Sequence, residues 1–281
     1  MFTALDTYGL KRIIYTIPKL CILLNHKKGT ALVLYPMSTN KSTNKSNNEQ
    51  VNDAVQLVVS YPKVPLTVDC VIFGFEENKL KVLLIKSDLE QYKDQLSLLG
   101  DVVQSNEDLD NAANRVLLER TGMQNVYLEQ VHTFSKVDRH PGGRVITTVY
   151  ASLLDFKHEE LKIHENELKW HTVSQITQMA FDHKQILDVC YAWLQKRIQE
   201  HPLAFSLLPE KFSLRQVQNV YEAILGTQLD RRNFRKKFAS MGLLIDTNEM
   251  EVNVTHRPGK LYKFDYAQYE LSKRNWVGID F

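Results

Sequence analysis

Residues 98–123 read LLGDVVQSNEDLDNAANRVLLERTGM, and the fold turns on this stretch. From Asp108 to Arg120 the apolar spacing is helical, and Thr121-Gly122 supplies a helix stop in which glycine takes the left-handed conformation. Arg115 and Glu119 are four apart, the separation at which side chains on a helix meet as an ion pair. Before this helix, residues 66–75 and 80–85 are β-rich runs separated by the polar Glu76-Glu77-Asn78, which predicts a hairpin. After it, residues 126–134 and 144–154 predict two more strands, separated by a loop with Pro141-Gly142-Gly143. Residues 184–199 predict a helix with Ile186, Val189, Cys190, Trp193 and Leu194 on one face, broken by His201-Pro202. Strands mixed with two helices predict an α/β/α sandwich over about residues 61–203.

A second unit is expected over residues 204–281. Ser213 and Gln216 form a capping box that opens a helix to Leu225, with the stripe Leu214, Val217, Tyr221 and Ile224. Gly226 ends it, and Asp230 caps a second helix running to about Met241. Two short β segments follow, near 243–246 and 260–264, which completes the outline of a winged helix-turn-helix. The second helix carries Arg231, Arg232, Asn233, Arg235, Lys236 and Lys237 around an inward pair, Phe234 and Phe238. Asn233 can read an adenine edge and arginines can read guanine, whereas lysines suit phosphates. Arg257 and Lys260, with Lys263 beside Tyr262 and Phe264, are the candidate DNA contacts of the wing.

The 281 residues carry a net charge of only +2, so what matters for nucleic acid is that the positive charge gathers on one helix. The three cysteines, Cys21, Cys70 and Cys190, lie far apart, which argues against a disulfide framework or zinc site and fits a reducing, cytoplasmic compartment. The apolar stretch 13–24 is interrupted by Pro18 and Lys19 and is too short to span a bilayer. Residues 38–50, STNKSTNKSNNEQ, are a polar low-complexity run. Residues 1–60 are therefore expected to be a poorly ordered extension. The first 36 read as a segment upstream of a start at Met37, the other reading being a small strand or helix.

The 98–123 stretch resembles the Nudix box: Glu107, Arg115, Leu117, Glu119, Gly122 and Met123 fall at its characteristic positions, while Gly100 and Asp101 stand where glycines are usual. The two halves together are similar to the Nudix-related transcription regulators of bacteria, particularly the branch of arabinose-responsive repressors. Further resemblance lies in residues 134–145, in Phe181-Asp182-His183, and in the span from Phe212 to Lys236. The resemblance implies an α+β chain, a Nudix sandwich followed by a winged helix. A homodimer would grip a palindromic operator and release it when a sugar or nucleotide-sugar-like effector binds.

Active Nudix relatives hold Mg²⁺ with carboxylates at positions that here are 116, 119 and 120. This chain offers Val116, Glu119 and Arg120, one ligand made apolar and another given a permanent positive charge. No hydrolysis, metal or cofactor is therefore expected, and Glu107 with Arg115 should hold the loop onto the helix, Arg120 pairing with Glu119. The effector candidates are Asp138, Arg139, Arg144 and His183, with Lys86 behind them. Two readings compete with the regulator: a working Nudix hydrolase whose C-terminal domain only dimerises, and a protein–protein adaptor without salt-dependent DNA affinity.

Overall fold

The computed structural model describes residues 15–17, 20–25, 30–34, 63–87, 89–155, 168–272 and 278–279. The chain forms two compact units, Met1–Lys63 and Val64–Phe281. In the first, three strands form an antiparallel sheet: β1 (Tyr15–Ile17), β2 (Leu20–Asn25) and β3 (Thr30–Leu34). The physical reason is local: LCILLN and TALVL are apolar, β-forming runs separated by the polar HKKG. The low-complexity run at 38–50 lies outside the described residues.

In the second unit β4 (Leu66–Glu76) and β5 (Lys79–Lys86) form the expected hairpin. Its turn uses Glu77 and Asn78, both left-handed (φ 51° and 58°), which matches the twist of the flanking strands. β4 also pairs in parallel with β9 (Ile146–Asp155), which pairs antiparallel with β8 (Glu129–Phe134). Three short strands extend this sheet: β10 (Lys169–Thr172) beside β5, β6 (Leu96–Ser97) on β5, and β7 (Leu99–Val102) on β4.

Side-chain alternation along β4 sends Val68, Cys70 and Ile72 to one face and Val71 and Phe73 to the other. The first face is covered by α1 (Leu109–Thr121) through Ala112, Ala113, Val116 and Leu117. The second is covered by α2 (His183–Glu200) through Ile186, Leu187, Cys190, Leu194 and Ile198. Each valine, leucine or isoleucine among them, buried in full, contributes about 1.5–3 kcal/mol, so neither helix could leave the sheet without losing much of the stability. This is the α/β/α sandwich that the strand and helix spacing predicts.

The winged helix continues the α2 core. A 3₁₀ turn (Leu203–Leu207) places Phe205 against Phe264 at 4.1 Å and Phe212 at 5.2 Å between ring centroids. β11 (Phe212–Ser213) leads into α3 (Leu214–Leu225), whose N-terminus is closed by the Ser213–Gln216 capping box. α4 (Arg231–Ser240) follows, its N-cap Asp230 accepting from the Asn233 N–H at 2.8 Å. Phe234 and Phe238 stack at 4.4 Å and meet Tyr221 of α3 edge-on. The wing is β12 (Leu244–Met250) and β13 (Lys260–Phe264), in a three-stranded sheet ordered β11-β13-β12, followed by α5 (Tyr266–Ser272).

Candidate functional sites: the box helix, the effector cleft and the basic winged helix

Arg115 sits at the centre of the box. Its Nε and Nη2 donate to the two oxygens of Glu107 at 3.0 and 2.8 Å, and Nη2 donates also to the Val102 carbonyl at 3.0 Å. Its Nη1 donates to Asp101 at 3.0 Å and Glu119 at 3.2 Å. All five N–H directions of the guanidinium are thereby used. The Arg115 bonds, with the Gln104 N–H, hold the Glu107 carboxyl below its ordinary range, and Glu107 in turn pushes Arg115 upward. Glu107 thus ties the loop to α1 as the sequence predicts, and Glu119 pairs with Arg115 at the i, i+4 spacing.

Val116 is 1% exposed and packs in the α1–sheet core beside Cys70 and Leu99. The three family positions for the cation thus supply one carboxylate, Glu119, next to a dry apolar contact and an arginine. Among the described residues no group of three His, Cys, Asp or Glu side chains could hold a metal ion. Those three positions offer a hard divalent cation a single carboxylate. At Gly100 an added Cβ would lie 2.3 Å from Asp69 Oδ1 and 2.8 Å from the Val68 carbonyl, so only glycine lets β7 approach β4 there.

The effector candidates divide. Asp138 and Arg139 line a cleft of about 310 Å³ at the start of α2, with Tyr92, Phe134, Phe181 and Asp182. Arg139 donates to both oxygens of Asp182, at 2.8 and 2.9 Å, and its side chain is 4% exposed. Phe181 has φ 49°, a costly conformation for a bulky residue, held by Tyr92 at 4.4 Å and His140 at 5.1 Å. Lys86 and Arg144 are exposed residues that do not line this cleft, Lys86 lying 3.6 Å from Asp94. His183 does not line it either and is buried: its Nδ1 accepts from the Leu98 N–H at 3.1 Å and contacts Ser97 Oγ at 3.0 Å. It opens α2, where the helix start packs beneath the loop before the box, and burial holds its pKa down. Phe181 and Asp182 were visible as a sequence motif, but Tyr92 is contributed by a distant loop and carried no signal.

The basic helix also divides. Arg231, Arg232 and Arg235 line a cleft of about 990 Å³ shared with Arg257 and Lys260 of the wing, and with Arg215 of α3, which the sequence reading missed. Asn233 and Lys237 face a different cleft, of about 610 Å³, bounded by Gln195 and Gln199 of α2 and by the turn between α3 and α4. Lys236 is exposed. The turn is held by Gln218 Nε2 donating to the Leu229 carbonyl at 2.9 Å and Glu222 accepting from the Leu229 N–H at 2.9 Å.

Residues 204–264 match the family described as the NrtR DNA-binding winged helix domain, and residues 63–194 match the NUDIX domain. An ADPR-responsive transcriptional repressor of Acinetobacter baylyi is 34% identical over 217 residues, covering 75% of this chain and 86% of that protein. The chain belongs to the NrtR family of Nudix-related transcriptional regulators. Shewanella oneidensis NrtR, crystallised with a 27mer DNA, is 29% identical with a TM-score of 0.60, covering 71% of this chain and 93% of that one. An ADP-ribose pyrophosphatase of Methanocaldococcus jannaschii is 30% identical over 122 residues, 43% of this chain and 71% of that enzyme. These relatives bear out the Nudix-related regulator family that the sequence resembled, and they carry nothing of the arabinose-responsive detail. In this NrtR-family regulator the winged helix is the DNA-binding domain, and no helix among the described residues is long and apolar enough to cross a membrane.

Proposed function

We propose that this chain is a transcriptional repressor whose Nudix domain binds ADP-ribose without cleaving it, and that binding lowers its affinity for an operator. One observation carries the non-hydrolytic half. The cation positions hold a buried Val116, an arginine and Glu119, which is already engaged by Arg115. The effector is inferred from the Acinetobacter repressor named for its response to ADPR; of the two expectations, a sugar or a nucleotide-sugar-like compound, it favours the second. The cleft of Asp138, Arg139, Phe181 and Asp182 is the proposed effector site, its aromatic rings suited to stack on a base. Operator contact is assigned to Arg231, Arg232 and Arg235 with Lys236, Arg257 and Lys260. A homodimer would present two winged helices to a palindromic site, and a DNA-binding regulator of this kind would act in the cytoplasm.

The competing reading, a Nudix hydrolase, has one observation in its favour, the likeness to an ADP-ribose pyrophosphatase. Fluorescence anisotropy on a labelled operator duplex, recovered by selection from a random-sequence pool, tests the regulator. ADP-ribose is expected to release the duplex while free arabinose and ribose do not. Release by a free pentose alone, or by nothing, contradicts the assignment.

A further inference from the structure

The wing is electrically unlike the helix beside it. α4 and its cap present Arg231, Arg232, Arg235, Lys236 and Lys237 against the single Asp230. Between Leu244 and Phe264, by contrast, Asp246, Glu249 and Glu251 balance Arg257, Lys260 and Lys263, and the preceding Glu210 balances Lys211. The balance is local. Lys260 Nζ lies 2.7 Å from Asp246, Lys211 lies 2.6 and 2.8 Å from the two oxygens of Glu249, and Lys263 bonds Glu210. All three pairs link a lysine to a carboxylate distant in sequence, across the β-sheet that forms the wing or at its edge. The lysines hold Asp246 and Glu210 below their ordinary range.

We propose that Glu210, Asp246 and Glu249 are specificity residues: they hold the wing lysines in ion pairs so that the wing meets phosphate only on a duplex seated in register by α4. Affinity for random-sequence DNA comes from cations that displace condensed counterions, and it reaches across several ångströms of solvent. A wing whose lysines are neutralised contributes little to that term. Exposed ion pairs are weak enough to be exchanged. A phosphate held at contact distance can therefore take a lysine from its carboxylate, whereas a loosely held one also meets the carboxylate's repulsion. The device sets the ratio of operator to random binding, leaving α4 to supply the base contacts.

Full-length protein carrying Glu210→Gln, Asp246→Asn and Glu249→Gln is compared with wild type by anisotropy on a random-sequence duplex and on the selected operator duplex. The random duplex is expected to bind about tenfold tighter at 0.1 M salt. The slope of log affinity against log salt should steepen by about two to three, close to one for each lysine freed. The operator should gain less, so the ratio between the two falls. Changing Lys211, Lys260 and Lys263 to Gln should do the reverse, weakening the operator while leaving the random duplex nearly unchanged. Unchanged random-duplex affinity and slope in the carboxylate variant, or equal gains on both duplexes, overturn the inference. The inference rests on the DNA-binding reading, and the two fail differently: a wild-type protein that ignores every duplex sinks that reading, not merely the role of the carboxylates.

Discussion

At the scale of single residues the chain repeatedly spends polar groups on holding two segments together. Arg115 gathers Asp101, Glu107, Glu119 and the Val102 carbonyl. Thr147 donates to the buried Asp69 at 2.7 Å. His183 is buried beside Ser97 and the Leu98 N–H, and its pKa is lowered by burial, with Asp69 and Asp182 opposing and Arg139 and His140 adding. An unfolded histidine takes up its proton near 6.5, whereas the folded ring resists until a lower pH. Its contribution to stability is therefore complete above 6.5 and is lost as the pH falls from there toward the folded value. Melting temperatures measured from pH 8 to 5 should fall more steeply for wild type than for His183→Gln, whose amide can still accept from Leu98. Parallel profiles would contradict this role. The burial of His183 was not legible, because a histidine at a helix start reads alike in sequence whether it faces a ligand or the protein interior. Arg139 stood out in the sequence as a candidate, but its commitment to Asp182, 43 positions away, did not.

Elements were legible wherever a periodic apolar pattern was closed by a cap. The box helix, α2, α3 and α4 begin and end within about two residues of their predicted bounds, because Gly122, Ser213, Gly226 and Asp230 act locally. The short strands β6, β7, β10 and β11 were missed, since two to four residues carry no period and are fixed by their partners. Composition alone also hid the division of α4, which follows from helical geometry. With Phe234 and Phe238 buried against α3, residues 231, 232 and 235 turn to the wing while 233 and 237 turn toward α2. Arg232→Ala and Arg235→Ala should each weaken operator binding by about 1–3 kcal/mol and relax preference at one base position. Asn233→Ala should leave sequence preference intact, against the adenine-reading role its amide first suggested. Competition among singly substituted duplexes checks this, and a preference lost in Asn233→Ala but kept in the arginine variants would reverse the orientation assigned to the helix.

Across the Val64–Phe281 unit, one apolar core runs from the sheet through α2 into the winged helix. α2 starts beside the proposed effector cleft, at Asp182 and His183. In its last two turns Gln195 donates to the Ile224 and Leu225 carbonyls of α3, at 3.2 and 3.1 Å. The same rigid element thus touches the sensor and the DNA-binding module, a physical route by which a ligand with different affinities for two arrangements could shift DNA binding. The sequence disclosed both modules but not this shared core, which depends on packing between residues far apart in the chain. The central claim is that the Nudix half recognises its ligand and leaves it intact. It is tested most directly by mixing purified protein with ADP-ribose and Mg²⁺, following binding by calorimetry and the two phosphorus resonances by NMR. Saturable binding with both resonances unchanged through prolonged incubation is the predicted result. Steady conversion to AMP and ribose phosphate would contradict it.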